Sequence, residues 1–368
     1  MCALIQSAST ELMNKGDFII MAENLKKYFF MRRGIADIIR RRKIYVRAVD
    51  GVTFAIREGE IFCLVGESGC GKTTTGRTLI GLTPPTAGKV FYRPRDETIK
   101  FFNELGISPA KGKYYLLNEI FRNKRANKIL RRELQIVFQD PYASLDPRLT
   151  IYVTLEEPLV VHGIGASREE RLELVSRVLE DVRLVPPEEF IGRYPHQLSG
   201  GQRQRVCIAR ALILNPRFIV ADEPVSMLDV SIRAEILKLM LELREKRNLT
   251  YLFITHDLAT ARLICNRIAV MYLGKIVELG SCDSVISRPY HPYAQALIAA
   301  IPEPDPSNRL KMRKLRIKGE VPSAINIPPG CRFHPRCPDA FDRCGKEEPP
   351  MIEVEPEHYV ACWLYARK

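Results

Sequence analysis

The feature that most constrains this chain is a run of eight residues that matches the P-loop pattern at every required position, Gly66-Glu67-Ser68-Gly69-Cys70-Gly71-Lys72-Thr73. The apolar run Ile61–Val65 directly before it predicts a short buried strand, and residues 74–82 after it predict a helix. A P-loop stands between a strand and a helix in this way. The alternative is a chance glycine-rich turn, but the specified positions rarely coincide at average composition.

The residue types in this run indicate what it binds. Glycines let successive backbone N–H groups and the start of the helix point at phosphate groups. Lys72 would reach the β- and γ-phosphates as a point charge, and the hydroxyl of Thr73 would coordinate Mg²⁺. Thr74 follows directly and belongs to the same candidate cradle. The sequence therefore predicts a site for a nucleoside triphosphate with Mg²⁺.

Composition limits the class of protein. The 368 residues are 46% hydrophobic and 27% charged, values typical of a globular protein. No apolar stretch reaches the ~18 residues that span a bilayer, and residues 1–17 lack the features of a signal peptide. We therefore expect a cytosolic protein whose membrane role, if any, depends on partners.

The net charge of +13 is concentrated in basic runs at residues 32–33, 40–43, 122–132 and 309–318. Nucleic acid, an anionic membrane face and acidic protein loops are all possible targets of such runs. No nucleic-acid-binding motif accompanies them, which favours solvated surface near anionic headgroups. The basic stretch between Tyr92 and Glu133 has two interpretations, a loop-and-helix excursion near a membrane partner or, slightly favoured, surface decoration.

A second apolar run, Phe218–Ala221, ends in the carboxylates Asp222 and Glu223. A strand that is buried on both faces of a parallel sheet has such a continuous apolar run, and ligands bind at the carboxyl ends of such strands. Asp222 would then hold Mg²⁺ through water, and Glu223 would polarise an attacking water. Taken alone, the run suits a loop or a helix N-terminus equally well.

A further glycine-rich segment opens a predicted helix over residues 199–214 and reads Leu198-Ser199-Gly200-Gly201-Gln202. Backbone N–H groups at such a helix start can surround an anion, although an ordinary capped helix can also contain Ser-Gly-Gly. His256 closes another apolar run, residues 251–255, and so lies at a strand's carboxyl end as well.

Together these motifs resemble the nucleotide-binding subunit of an ATP-binding cassette (ABC) transporter, and they occur in that family's order. The resemblance extends from about residue 18 to residue 300 and adds a Q-loop at Gln139 and a D-loop ending at Asp229. It implies an α/β fold, a P-loop NTPase of ABC type with an antiparallel β subdomain and a helical subdomain over about residues 145–200. It also implies that the chain hydrolyses ATP.

The family resemblance implies roles for individual residues. ATP on one subunit's P-loop would be sandwiched by Ser199, Gly200, Gly201 and Gln202 of a second subunit, with Asp229 nearby. Gln139 would sense Mg²⁺ or the attacking water, and His256 would contact the γ-phosphate. Adenine would stack on an aromatic side chain, for which Phe29 aligns best and Tyr28 and Tyr45 are alternatives.

Three further segments resemble the ATPases of oligopeptide and dipeptide importers: residues 137–148, residues 193–197 and the His-Pro-Tyr element of residues 288–297. The amino-acid sequence of the first segment resembles that of the second of the two paralogous ATPases in these importers. The resemblance implies a heterodimer with a sister ATPase, two transmembrane permease subunits, a solute-binding protein outside the cell, and no direct contact with nucleic acid. The chain would lie on the cytoplasmic face of the membrane.

Four cysteines crowd the C-terminus: Cys331, Cys337, Cys344 and Cys362. Four thiolates suit a [4Fe–4S] cluster or a tetrahedral Zn²⁺. The spacing lacks paired C-x2-C knuckles and resembles the cluster-binding tail of peptide-importer ATPases, so we expect an iron–sulfur cluster, with zinc or unligated thiols as alternatives. Cys63 and Cys207 lie in apolar runs and are expected to be small core residues without disulfides.

The chain is thus expected to contain a nucleotide-binding domain at residues 1–300 and a tail at residues 301–368, joined at the Pro-rich stretch 301–306. The predicted function is ATP hydrolysis that drives peptide import. Alternatives are another solute (nickel, glutathione or an oligosaccharide), a cassette ATPase acting on nucleic acid, or a module that binds ATP without hydrolysing it.

Overall fold

The computed structural model describes residues 17–31, 44–300, 317, 319 and 322–366, so the expected linker at 301–306 lies outside the described residues. The strands are β1 (Phe18–Met31), β2 (Ile44–Arg57), β3 (Ile61–Val65), β4 (Ala87–Tyr92), β5 (Tyr115–Leu116), β6 (Leu134–Val137), β7 (Phe218–Asp222), β8 (Thr250–Thr255), β9 (Arg267–Tyr272), β10 (Lys275–Ser281), β11 (Ile352–Glu355) and β12 (His358–Val360). The α-helices are α1 (Lys72–Leu79), α2 (Asp96–Glu104), α3 (Leu117–Ile120), α4 (Lys124–Glu133), α5 (Ile151–His162), α6 (Arg168–Asp181), α7 (Glu188–Ile191), α8 (Gly200–Leu212), α9 (Val230–Arg247), α10 (Leu258–Ile264), α11 (Cys282–Ser287) and α12 (Pro292–Ala299).

The central sheet has the strand order β11-β12-β10-β9-β3-β8-β7-β6. Strands β6, β7, β8, β3 and β9 run parallel to one another, which brings their carboxyl ends to one edge. Every residue of β3, β7 and β8 is buried. These strands read as continuous apolar runs because parallel strands are covered on both faces.

Two apolar cores lie on opposite faces of this sheet, and β3 contributes to both. Ile61, Cys63 and Val65 point into one core, whereas Phe62 and Leu64 point into the other. This split follows from the alternation of side chains along a strand. The first core also contains side chains of α5, α6, α8 and α9, and the second contains those of β1, β2 and β4.

A second sheet has the order β2-β1-β4-β5, and its three pairings are antiparallel. The basic stretch after Tyr92 forms α2, α3 and α4 beside this sheet. Phe102, Leu117, Ile120 and Leu130 of these helices are buried in the second core. The apolar side chains of this stretch therefore pack into the fold, whereas the basic residues Arg122, Lys124 and Arg125 are exposed. Both interpretations of its role, beside a membrane partner or as surface decoration, stay predictions.

Helix α6 begins after Ser167, whose hydroxyl accepts the N–H of Glu170, and α9 runs over Val230–Arg247. Helix α1 begins at Lys72 and ends at Leu79, not at residues 74 and 82, because Gly71 in a left-handed conformation immediately precedes its first turn.

The tail extends the central sheet. Strand β12 pairs with β10, and β11 pairs with β12, both antiparallel. Cys63 lies in the core as predicted, and its Cα atom is 5.9 Å from that of Cys265, which lies between α10 and β9. Among the described residues, we find no helix with the length and apolar character needed to cross a membrane.

Candidate functional site

The P-loop conformation requires glycine at two positions. Gly66 has a φ of 150°, and a Cβ there would lie 2.2 Å from the carbonyl oxygen of Met271. Gly71 has a φ of 109°, and its Cβ would lie 2.0 Å from the carbonyl oxygen of Ala48. Any side chain at either position would collide with backbone, so the loop can approach the sheet this closely only with glycine.

The P-loop forms one wall of a cleft of about 640 Å³, a size typical of small-molecule sites. The cleft is lined by Ala48, Gly66, Glu67, Ser68, Gly69, Gly71, Lys72, Thr73, Thr74, Gln139, Glu223, His256 and Leu297. Lys72 is buried, and its Nζ donates to the carbonyl oxygens of Gly66 at 2.7 Å and Glu67 at 3.0 Å. The candidate nucleotide residues from four separate segments therefore meet at one edge of the sheet.

Thr73 and Asp222 are in contact at this edge of the sheet. The Thr73 hydroxyl donates to Asp222 Oδ1 at 2.7 Å, and Arg77 lies 3.8 Å from the same carboxylate. Burial raises the pKa of the Asp222 carboxyl above its usual value, and the nearby charge of Glu223 adds to this effect. A hydroxyl and a buried carboxylate in contact are oxygen ligands of the kind that Mg²⁺ prefers, so these two residues fit a magnesium ion.

Glu223 is the centre of a second group of contacts. Its carboxylate Oε2 accepts from Gln139 Nε2 at 3.2 Å and lies 3.0 Å from His256 Nδ1. Glu223 has a φ of 47°, an uncommon left-handed conformation for a residue with a side chain. Such strain concentrates at functional sites, and here it accompanies the turn of the chain out of β7. Gln139, Glu223 and His256 follow β6, β7 and β8, which explains why they meet.

The segment that opens α8 lies elsewhere. Ser199 and Gln202 form a capping box, in which each side chain accepts the other's backbone N–H. Within the described part of the chain, neither Ser199–Gln202 nor Asp229, which precedes α9, contributes to the lining of the cleft. A Cβ added to Gly200 would touch Leu228 at 3.6 Å, so this segment adjoins the D-loop instead.

The three candidate aromatics divide between the two faces of the β1–β2 pair. Phe29 pairs with Val46, two residues before the cleft residue Ala48, where the register of the two strands shifts. Tyr45 lies on the other face, where its ring contacts Phe30 at 5.8 Å between centroids. Tyr28 is also on that face, because it pairs with Arg47 and lies under its guanidinium.

The four tail cysteines line one small cavity together with His334 and Trp363. Burial raises the pKa of the Cys337 thiol to about 11 and that of Cys362 to about 12. Within residues 17–31, 44–300 and the described tail, no group of three or more His, Cys, Asp or Glu is arranged to hold a metal ion. The tail brings the thiols together, but a metal-bound tail is not supported.

Two cleft residues, Ala48 and Leu297, were missed by the sequence analysis. Ala48 carries no chemical signal, and its role is to offer a backbone carbonyl against Gly71. Leu297 belongs to α12, whose His-Pro-Tyr sequence indicates a family but gives no reason to expect contact with the P-loop.

Comparison with known proteins agrees with this geometry. The family model described as "ABC transporter" matches residues 49–226, and that described as "Oligopeptide/dipeptide transporter, C-terminal region" matches residues 277–344. The chain is 45% identical over 348 residues to the oligopeptide transport ATP-binding protein AppF of Bacillus subtilis, which covers 95% of this chain and 98% of AppF. It is 47% identical over 324 residues to YkfD of the same species, provisionally named an oligopeptide transport ATP-binding protein, covering 88% of this chain and 91% of YkfD.

Among solved structures, the chain is similar to MJ0796, an ATP-binding cassette determined as a dimer in a post-hydrolysis state bound to ADP and Pi. The TM-score is 0.56 at 31% identity, and the match covers 72% of this chain and 99% of MJ0796. The P-loop, the Asp222–Glu223 pair and the cleft that joins them to Gln139 and His256 agree with these relationships. The chain therefore belongs to the ABC transporter ATPases, in the group of oligopeptide and dipeptide transport ATP-binding proteins, and it hydrolyses ATP.

Proposed function

We propose that this chain energises the import of di- and oligopeptides across the cytoplasmic membrane by hydrolysing ATP on the cytoplasmic face. The observation that carries the proposal is a complete set of P-loop and carboxylate groups in one cleft, in a chain matched over 95% of its length by an oligopeptide transport ATP-binding protein. Two permease subunits would span the membrane, and a solute-binding protein outside the cell would deliver the peptide.

Binding of ATP uses the P-loop, Gly66 to Thr74. Lys72 would leave the carbonyls of Gly66 and Glu67 for the β- and γ-phosphates, while the N–H groups at the start of α1 face the phosphate oxygens. Thr73, Asp222 and Gln139 would hold Mg²⁺. When bound, Mg²⁺ would neutralise the negative charge that develops during phosphoryl transfer.

Glu223 would act as the general base that orients and polarises the attacking water. Its carboxylate is held between Gln139 and His256, at 3.2 and 3.0 Å, and all three residues line the cleft in which the γ-phosphate would lie. His256 would then contact the γ-phosphate, and Gln139 would report its presence to the permease. General-base catalysis requires the base within hydrogen-bond reach of the water, and the support for this role is that Glu223 lines the cleft in which that water would lie.

The complete site would need a second subunit. Ser199, Gly200, Gly201 and Gln202 do not line the cleft of their own chain, and neither does Asp229. We propose that they close over ATP bound to the partner, a sister ATPase in a heterodimer. The similarity to MJ0796, determined as a dimer, supports the arrangement. Hydrolysis would remove the charge that bridges the subunits and so favour their separation.

Phe29 is proposed to stack on adenine. It is 42% exposed, and it alone of the three candidates lies on the face of Val46, two residues before Ala48, which lines the cleft. Tyr28 instead donates its hydroxyl to Asp50. A Phe29→Ala variant should weaken ATP binding more than Tyr45→Ala does.

The tail cysteines Cys331, Cys337, Cys344 and Cys362 are proposed to hold a [4Fe–4S] cluster, with Zn²⁺ as the alternative. The support is that the four thiols line one cavity, a donor set that suits either metal site. A protein purified without oxygen should absorb broadly near ~400 nm and contain iron and sulfide. Colourless protein with zinc would favour the alternative, and protein with neither would refute both.

The transport proposal is tested with the complex purified from membranes through a tag on this chain and reconstituted in liposomes with its solute-binding protein. ATP-dependent uptake of a labelled tripeptide is expected, and Lys72→Ala should abolish it. Lys246→Ala, which removes an exposed lysine bonded to Asp181, is the matched control. Uptake of nickel, glutathione or an oligosaccharide without peptide, or ATPase activity stimulated by RNA without permeases, would refute the proposal.

A further inference from the structure

All the polar groups of one P-loop residue, Glu67, are engaged, and two of its partners come from the C-terminal part of the chain. Its carboxylate accepts two hydrogen bonds from the guanidinium of Arg336, at 2.9 and 3.2 Å. Its backbone N–H donates to the hydroxyl of Tyr293 at 2.9 Å. Its carbonyl oxygen accepts from Lys72 Nζ at 3.0 Å. Glu67 therefore links the phosphate-binding lysine to the tail.

The contact with Arg336 is built into the packing of the tail. Arg336 is 7% exposed, and its guanidinium lies 5.9 Å from the centroid of the Tyr272 ring. Paired, coplanar hydrogen bonds of this kind are strong and fix orientation as well as distance. The pairing with Glu67 holds the pKa of Arg336 above its ordinary value, although burial opposes this. The carboxylate of Glu67 has little freedom to turn away.

Tyr293 reaches the P-loop from the first turn of α12. Its ring is fully buried between Tyr272 and Phe333, with centroids at 4.7 and 5.4 Å. Phe333 belongs to the tail, and it also contacts Tyr272 edge-on at 5.3 Å. The three rings thus join α12, β9 and the tail beneath Glu67, and the Tyr293 hydroxyl is held where the Glu67 N–H can reach it.

We propose that Arg336 and Tyr293 are positioning residues for ATP binding, which hold Glu67 so that the P-loop is preformed around the phosphates. This inference goes beyond the proposed transport role and rests only on the binding of MgATP at the P-loop. It gives the tail a function at the nucleotide site whatever the state of its cysteines. Neither residue contacts the phosphates, since both act through Glu67.

The expected effect follows from preorganisation. A P-loop that is correctly formed only part of the time binds with an affinity reduced by that fraction. Loss of both hydrogen bonds to the Glu67 carboxylate in Arg336→Gln should weaken MgATP binding by about 10-fold. Loss of one neutral hydrogen bond in Tyr293→Phe should weaken it by about 3-fold. Because the reacting groups at Glu223 are untouched, kcat should stay within about 2-fold while KM for ATP rises.

A matched control is available in the same tail. Arg57 forms an ion pair with Glu357, which also ties the tail to the nucleotide-binding core, but both side chains are exposed and neither lines the cleft. Arg57→Gln removes a comparable link and should leave MgATP affinity unchanged. If tail attachment in general were responsible, Arg57→Gln and Arg336→Gln would behave alike.

The test uses the full chain for equilibrium dialysis with labelled MgATP and the reconstituted complex for kcat and KM. Arg336→Lys should be intermediate, because it keeps the charge and loses the paired geometry. The effects of Glu67→Gln and Arg336→Gln should be strongly non-additive, since each removes the same contact. Wild-type affinity in Arg336→Gln and Tyr293→Phe, or a loss of kcat without a change in KM, would overturn the inference.

The same variants distinguish failure of this inference from failure of the nucleotide-site assignment. If Arg336→Gln fails to fold by thermal unfolding, Tyr293→Phe decides, and unchanged affinity there overturns the inference. If wild-type chain fails to bind MgATP, or if Lys72→Ala binds as well as wild type, the nucleotide-site assignment itself fails.

Discussion

Replacement of Glu278 by Gln should loosen the attachment of the tail, because this buried carboxylate joins three separate segments. Glu278 lies in β10 and is fully buried. Its Oε1 accepts the N–H of Tyr290 at 2.9 Å and lies 2.8 Å from Nε2 of His358 in β12. Its Oε2 accepts the N–H of His291 at 2.7 Å. A carboxylate has no proton to donate, so His358 must donate from Nε2.

The size of the stability loss depends on which of the hydrogen bonds to Glu278 a glutamine side chain can still make. Gln keeps one acceptor oxygen, which can serve Tyr290 and His358. Its NH₂ group then faces the backbone N–H of His291, so one charge-assisted hydrogen bond is lost and a buried donor is left without a partner. Hydrogen bonds to charged groups contribute about 1.5–3 kcal/mol each. We therefore expect a loss of roughly 2–3 kcal/mol in the free energy of unfolding of this region.

The chain offers a selective probe, because Trp363 is its single tryptophan and lies in the tail. Trp363 is buried, and its Nε1 donates to the carbonyl oxygen of Glu347 at 2.9 Å. Its fluorescence during a urea titration reports on the tail without background from other tryptophans. With a slope of about 2 kcal/mol per molar, the midpoint should fall by roughly 1–1.5 M.

Glu245→Gln is the matched control, since the side chain of Glu245 is 73% exposed and its partner is a surface arginine. Its free energy of unfolding should change by no more than about 0.5 kcal/mol, with a correspondingly small shift of the urea midpoint. If Glu278→Gln unfolds at the same urea concentration as Glu245→Gln, the hydrogen bonds to Glu278 do not hold the tail and the reasoning is refuted.

Three further predictions concern the nucleotide cleft. Glu223→Gln should slow hydrolysis by ~10²–10⁴-fold in a single-turnover assay. ATP should still bind, so that ATP-bound dimers accumulate in gel filtration. Equally slow turnover in wild type and variant would contradict this prediction. Gly71→Ala should lower MgATP affinity by at least ~100-fold in equilibrium dialysis, because its Cβ would overlap the Ala48 carbonyl, and Gly69→Ala, whose Cβ meets open space, should do less harm. Cys70 is 4% exposed, and burial raises the pKa of its thiol. Iodoacetamide at pH 8 should therefore label Cys70 ~100-fold more slowly in folded than in urea-unfolded protein, as measured by mass spectrometry. Fast labelling of the folded chain would refute its burial.

The sequence predicted the elements of the site wherever the relevant signal was local. The P-loop, the carboxylates after β7 and the histidine after β8 each stand beside an apolar run, and the structure places all three at one edge of the sheet. A parallel sheet requires this, since the carboxyl ends of its parallel strands share an edge. The boundaries of α1 and the burial of α2 to α4 were less well predicted, because both depend on contacts with other elements.

By itself, the sequence indicated a set of candidate nucleotide-binding residues, because a glycine-rich loop and a strand ending in acids have chemical properties that need few neighbours. The tertiary structure alone decided that Arg336 meets Glu67, 269 positions earlier, and that the tail adds strands to the central sheet. It also decided that the Ser199 segment lies away from its own cleft. Such contacts depend on how sheets and helices pack, and packing brings together residues whose spacing along the chain gives no indication that they will touch.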